Sequence, residues 1–292
     1  MGTSSNTIKE RSGFRISKWY LDCVTDEGEA MIFYAAQLNW HGFQVPYTSW
    51  LHYKPTTGTT VQSRLRRINM PKKDGESICW QDSRFGISGS WEAITPALNA
   101  RLFNSDDGYL DWSCYQPVSR VRLSINDRII EGLGYAEQLI LTVEPWKIPM
   151  EELRWGRYGT GSDSIVWIEL RGVEQKQWVW YNGESTGNID IQDNKLVIPE
   201  RNLILDLDKG VVLESEKKIF NVVKTLLNYI PGFNKSMPSK FLMSDEFKWR
   251  SKAILKEGDK VKSKGWAIHE CVKFRNERVG SQRHSSFSTR YD

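Results

Sequence analysis

Gly132-Leu-Gly-Tyr-Ala-Glu-Gln-Leu-Ile-Leu-Thr-Val143 is the stretch whose reading decides the fold. Side chains alternate between faces along a strand. Leu133, Tyr135, Glu137, Leu139, Leu141 and Val143 therefore share one side, and Gly134, Ala136, Gln138, Ile140 and Thr142 the other. A glutamate in the middle of the more apolar face must be paired, hydrogen-bonded or protonated, because an uncompensated buried carboxylate is costly. Two readings of Glu137 follow. It is a structural carboxylate tied to an arginine or to backbone amides, or it is an acid–base group.

Working outward, the same arrangement recurs near the end of the chain. In Gly265-Trp-Ala-Ile-His-Glu-Cys-Val-Lys-Phe274, Trp266, Ile268, Val272 and Phe274 share a face with Glu270, while His269, Cys271 and Lys273 lie opposite. Both stretches begin Gly-aromatic-Ala and place a Glu on the aromatic residue's own face, a faint internal repeat with each copy closing one half of the molecule. Elsewhere the chain is a succession of short β-prone runs with turn signals, beginning with a hairpin from Lys18-Trp-Tyr-Leu-Asp-Cys-Val through Thr-Asp-Glu-Gly-Glu to Ala-Met-Ile-Phe-Tyr. Even spacing of such runs predicts an all-β barrel or sandwich. Pro145 and Pro149 bracket Trp146 and mark a seam, with at most one helical turn at Met150–Leu153. The expected organisation is a disordered leader over 1–14, one half over 15–145, a second over 146–276, and a disordered tail over 277–292. One element breaks the β pattern. Ile219, Val222, Val223, Leu226, Leu227 and Ile230 recur at three- and four-residue intervals, which predicts an amphipathic helix over 214–230, stopped by Pro231-Gly232.

The composition bounds the function. Among 292 residues are 13 Trp, 11 Tyr and 11 Phe, with a net charge of +4. That aromatic density suits β-structure whose faces fill a core or line an apolar pocket, and the modest charge implies no polyanion partner. Arg64-Leu-Arg-Arg67 is a short basic cluster that reads as a solvated strand or loop rather than a nucleic-acid patch. The 209–264 stretch carries 13 Lys/Arg against 6 Asp/Glu; a solvated lysine face explains it, and contact with a membrane surface is the sharper alternative. Cys23, Cys79, Cys114 and Cys271 are scattered without metal-ligand or redox spacing, which fits a reducing, cytoplasmic location. The start of the chain lacks the apolar run of a signal peptide, and no run reaches the ~20 apolar residues of a membrane span.

Four histidines, His41, His52, His269 and His284, show no metal-ligand spacing, so no metal site is expected. Nucleophile-elbow, Walker and dinucleotide fingerprints are missing. What remains is carboxylate chemistry in an aromatic enclosure. A desolvated carboxyl has a raised pKa, which suits it to donate a proton at neutral pH. Glu137 and Glu270 are the first candidates. Asp22, on a face with Tyr20 and Val24, reads first as a structural hydrogen-bonding residue, and Glu169 with Arg171 as a simple ion pair.

At these residues the chain resembles the lipocalin-like superfamily that includes bacterial carotenoid 1,2-hydratases, AttH-type proteins, kievitone-hydratase-like enzymes and decalin-forming Diels–Alderases. Trp19-Tyr20-Leu21-Asp22 is similar to that family's opening strand, with Lys18 where a Trp is usual. Trp112-Ser113-Cys114 with Pro117, Gly134-Tyr135-Ala136-Glu137, Pro145-Trp146, Leu153-Arg154-Trp155-Gly156, Val166-Trp167-Ile168, and Gly265-Trp266 with His269-Glu270 continue the match from about residue 18 to 275. The resemblance implies two tandem lipocalin-like antiparallel β-barrels with the one amphipathic helix in the second half. It implies a ligand space within or between the barrels, an apolar polyene, terpenoid or polyketide-like substrate, and no cofactor.

The reading these residues support is a cofactor-independent hydratase, isomerase or cyclase that acts by proton transfer in an aromatic cavity. Glu137 is the expected general acid and Glu270 the second acid–base group. Tyr135 is expected to relay, with Asp22 and His269 as further catalytic candidates, and Tyr20, Trp112, Trp155, Trp167 and Trp266 to line the cavity. Two alternatives stand beside it. One is a non-catalytic carrier of an apolar ligand; the other is a carbohydrate-binding β-sandwich with Trp178 and Trp180 as a solvent-facing platform.

Overall fold

The computed structural model describes residues 13–187, 189–215 and 244–274. Ten strands build the first half: β1 (Arg15–Val24), β2 (Ala30–Trp40), β3 (Phe43–Lys54), β4 (Gly58–Arg64), β5 (Lys72–Asp74), β6 (Ser77–Asp82), β7 (Ile87–Ala93), β8 (Leu98–Ser105), β9 (Gly108–Ile125) and β10 (Arg128–Leu141). Ten more build the second: β11 (Met150–Gly159), β12 (Ser164–Gly172), β13 (Lys176–Tyr181), β14 (Glu184–Ser185), β15 (Asp190–Ile191), β16 (Lys195–Ile198), β17 (Leu203–Leu207), β18 (Val211–Ser215), β19 (Ser244–Glu257) and β20 (Lys260–Phe274). The helical turn at the seam is a 3-10 turn over Pro145–Lys147, where proline's fixed φ suits the first helical position. Met150–Leu153, expected to turn, instead opens β11.

The strand order of the first sheet is β4-β3-β2-β1-β10-β9-β7-β6-β5, with β8 also paired to β9. The second sheet runs β14-β13-β12-β11-β20-β19-β17-β16-β15, with β18 paired to β19. Adding ten to every strand number in the first order produces the second. The faint repeat of two stretches in the sequence is thus a repeat of the whole antiparallel ten-strand unit.

Each sheet curls over a core of its own. In the first half Phe33 and Trp50, from β2 and β3, pack with Trp80 and Trp91 from β6 and β7. In the second, Trp167 and Val179 pack with Leu196 and Leu205. A third core joins the halves, with Tyr20, Tyr34, Trp112 and Tyr135 from the first against Trp155, Trp180 and Ile268 from the second. The central strands β1, β10, β11 and β20 are therefore covered on both faces. This is the expected all-β fold of two large antiparallel sheets.

Two local readings change. Glu214 and Ser215, placed at the start of the predicted helix, end β18 and pair with β19; residues 216–230 of that helix, residues 1–12 of the expected 1–14 leader and the tail over 277–292 lie outside the described residues, whereas Phe14 of that leader is buried in the shared core. The long strand β19 was not anticipated from the sequence. Its pattern is inverted, since Glu246, Lys248 and Arg250 are buried while Phe247 and Trp249 are half-exposed. All four cysteines are free. No described helix is long and apolar enough to cross a membrane.

Candidate functional site

The faces that carry Glu137 and Glu270 point away from the two sheet cores and into the core between the halves. Tyr135, Leu139, Leu141 and Val143 belong to that shared core, whereas Ala136 on the opposite face belongs to the first half's own. On β20, Ile268, Val272 and Phe274 do the same, and Ala267 faces the second half's core.

A local irregularity aims Glu137. The β9–β10 register shifts on both sides of Ala136, so Tyr115 is an extra residue on β9 at this point. Bulges of this kind re-aim side chains. Gly134 lets β10 run close to β1, because a Cβ there would meet the Asp22 carbonyl oxygen. Glu137 is 9% exposed. Its Oε2 accepts from Trp112 Nε1 at 2.5 Å and from Tyr135 Oη at 2.6 Å. Both donors converge on one oxygen, which leaves Oε1 as the seat for a proton. Burial pushes the carboxyl's pKa up, against the pull of those two hydrogen bonds and of Lys18, while the nearby Glu270 charge adds to the rise. Trp112 also stacks on Trp180 of the other half, with ring centres 4.9 Å apart.

Glu270 occupies the corresponding rung of the second half. Tyr20 pairs with Glu137 across β1 and β10, and Trp155 with Glu270 across β11 and β20. Its side chain is 13% exposed and lies 2.7 Å from the ammonium of Lys248, which is almost completely buried. Lys248 Nζ donates to Tyr34 Oη at 2.7 Å and sits 5.1, 5.3 and 5.9 Å from the ring centres of Tyr20, Tyr34 and Trp155. Burial opposes the lysine's charge, but Glu270, Tyr20, Glu214 and Glu246 together outweigh it and hold Lys248 above its ordinary value. Glu246, two residues along β19, is also buried; desolvation first and Glu270 second push its carboxyl up to about 8.

Asp22 and Arg157 complete the cluster. Arg157 Nη2 and Nε donate to the two Asp22 oxygens at 2.5 and 3.0 Å, and Tyr20 Oη donates to Asp22 Oδ2 at 3.0 Å. Asp22 lies two residues after Tyr20, and Arg157 two after Trp155, so this ion pair joins equivalent positions of the repeat. A position in contact with its own counterpart is what an approximate twofold relation places on its axis. With both oxygens held by the guanidinium, Asp22 is placed to clamp the halves together rather than to exchange protons.

The structure thus brings together Glu137, Glu270, Tyr135, Tyr20, Asp22, Trp112 and Trp155 of the sequence candidates. Trp266 sits at the edge, its ring under the Arg250 guanidinium and its Nε1 donating to Asp26 O at 3.3 Å. Two candidates lie elsewhere. His269 is on the other face of β20, 3.0 Å from Ser251 Oγ and stacked on Trp249, and burial lowers it to about 4. Trp167 fills the second half's own core. The proposed sugar platform is overturned: Trp180 is 8% exposed and stacked on Trp112, and Trp178 packs against the shared core. Lys248, Glu246, Tyr34 and Arg157 were missed, because none stands out until the halves are docked. Among the described residues, no group of three or more His, Cys, Asp or Glu side chains is arranged to hold a metal ion.

No protein-family model and no curated protein matches the sequence. Solved structures do match. CghA superposes with a TM-score of 0.55 at 12% identity, over 91% of this chain and 93% of that one. The AttH-like protein NE1406 of Nitrosomonas europaea gives 0.50 at 10% identity, over 94% and 98%. Kievitone hydratase of Nectria haematococca gives 0.50 at 11% identity, over 94% and 96%. This chain has their lipocalin-like fold. The expected resemblance therefore holds at the level of architecture, along nearly the whole of each chain. With about one residue in nine shared, the fold is what these matches establish.

Proposed function

We propose that the protein is a cofactor-independent enzyme that moves protons on an apolar, unsaturated substrate held between its two halves. The observation that carries this is Glu137, a buried carboxyl with both donors on one oxygen, facing a core that also holds a second, lysine-paired carboxylate. The hydratase of like fold supports hydration as one outcome.

In this reading Glu137 Oε1 gives its proton to an alkene carbon, so that a C–H bond forms as the O–H bond breaks and Glu137 becomes a carboxylate. The cation left on the adjacent carbon is stabilised by the aromatic side chains of the shared core, among them Trp112, Trp178 and Trp180. Glu270 then accepts a proton. If it comes from a neighbouring carbon the product is an isomer, and if from an attacking water the product is a hydrate. Protons exchanged with solvent return both carboxyls to their starting states. Leu139, Leu153 and Trp178, only partly buried beside the shared core, offer the apolar wall a hydrocarbon needs. The free cysteines fit a cytoplasmic setting.

The test begins with an organic extract of protein purified from its native host, to supply the substrate or product. Turnover in heavy water should then place one deuterium on a carbon of the product, and Glu137→Gln should slow it by ~10²-fold or more. Full turnover by Glu137→Gln would end the acid assignment. A ligand that binds both variants and never changes would identify a carrier.

A further inference from the structure

The geometry points to a second binding site, for an amphiphilic phosphate, on the first half and away from the carboxylate pair. A groove of about 700 Å³ opens between segment 68–70 and strands β6, β7 and β9. Lys72, Cys79, Ser90 and Arg122 are successive cross-strand partners from β5 to β9. They form one row on the outer face, and Gln81, Ser88 and Ser124 form the next. Both rows line the groove, while the alternate residues Ile78, Trp91 and Val121 are buried in the first half's core. The walls are apolar, with Ile68 and Met70 on one side and Ile129, 50% exposed, on the other. Two cations and three serine hydroxyls line the groove, and none of its lining residues is acidic.

The rim adds charge of the same sign. Arg84 Nη1 donates to the Arg66 carbonyl at 2.6 Å, and Arg64 Nη2 to the Arg84 carbonyl at 2.8 Å, with the Arg64 guanidinium over the Phe85 ring. Asn69 Nδ2 donates to Gln81 O at 3.0 Å and ties this arginine segment to the groove wall. Among the described residues, the acidic partner of the groove's Arg122 is Glu131, an exposed pair of the kind that water screens. Lys72 and Arg122 in a groove whose lining holds no carboxylate, with the arginine segment beside it, concentrate positive potential, which an anion relieves. Arginine forks, a lysine and hydroxyls fit a phosphate's oxygens, and the Ile68, Met70 and Ile129 walls fit a hydrocarbon chain. The volume lies within the roughly 300–1,000 Å³ of small-molecule sites. This site does not depend on the acid–base reading.

The experiment uses the full chain and dodecyl phosphate kept below micelle formation, with calorimetry for affinity and peptide mapping for the alkylation rate of Cys79, the exposed thiol in the groove. Saturable one-site binding that slows Cys79 alkylation is expected. Lys72→Glu with Arg122→Glu should weaken it by at least about tenfold, and Ser90→Trp should block it sterically. Arg201→Glu on the other half and Glu137→Gln should leave it unchanged, with circular dichroism confirming that every variant is folded. Binding without protection of Cys79 would overturn the site. Inorganic phosphate binding as tightly would overturn the amphiphile, and binding only to phosphatidylglycerol vesicles would replace the pocket with a membrane surface.

Discussion

Glu137 and Glu270 stand on the same rung of the two repeats, yet their neighbours differ in kind. Glu137 pairs across β9 with Cys114 and takes hydrogen bonds from Trp112 and Tyr135. At the matching places Glu270 has Lys248, Glu246 and Ile268. One carboxyl is surrounded by neutral donors and the other by charges. The lesson is about where a duplicated fold is free to change. Each half keeps its own apolar core, which holds the strand order, so the faces turned toward the other half can exchange neutral for charged residues without loss of the sheet.

The largest effect should come from removing the charge that distinguishes the second half. Lys248→Met leaves Glu270 and Glu246 buried beside a thioether, and loss of one partner of a buried pair costs about 3–5 kcal/mol. Urea unfolding measures it. Glu137→Gln keeps acceptors for both donors and should change stability by less than ~1 kcal/mol. Equal losses in the two variants would break the comparison. Adding Glu270→Gln to Lys248→Met should recover part of the loss, since it removes the stranded carboxylate.

The next effect is on pH dependence. Glu246 is pushed up to about 8 in the fold, whereas an unfolded glutamate titrates near ~4.3. Between those values the folded chain binds a proton that the unfolded chain does not. Stability should therefore fall as pH rises through this window, by up to about 1.4 kcal/mol per pH unit from this group. Glu246→Gln should flatten that slope, and thermal melts across the window would show it. A slope that persists unchanged would assign the linkage to another group.

The smallest effect sharpens the neutral side. Trp112→Phe removes one of the two donors to Glu137 and should cost ~1 kcal/mol in stability. Because the lost hydrogen bond opposes burial, the Glu137 carboxyl should rise further, and the limb of the pH–rate profile that reports it should move to higher pH. A limb that moves down would mean the donors do not set this carboxyl.

Parts of this were legible from the chain alone. Strict alternation around Glu137 and Glu270 identified both strands and put both carboxyls on apolar faces. The same rule failed on β19, where Glu246, Lys248 and Arg250 point inward and the aromatics Phe247 and Trp249 are half-exposed. A charged row that is satisfied only by residues of the other half and of neighbouring strands reads, in sequence, as a solvated one. His269 was close to Glu270 in sequence but on the opposite face, and Trp178 with Trp180 looked like a platform because the partner that covers Trp180 is Trp112 of the other half.

The sequence by itself determined the β class, the two similar strands and the face on which each glutamate lies, because alternation is a property of neighbouring residues along one strand. Tertiary structure alone decided what each glutamate meets. Asp22 reaches Arg157 across 135 residues and Lys248 reaches Tyr34 across 214. Such contacts depend on how two curled sheets dock, and no local period in the chain encodes that.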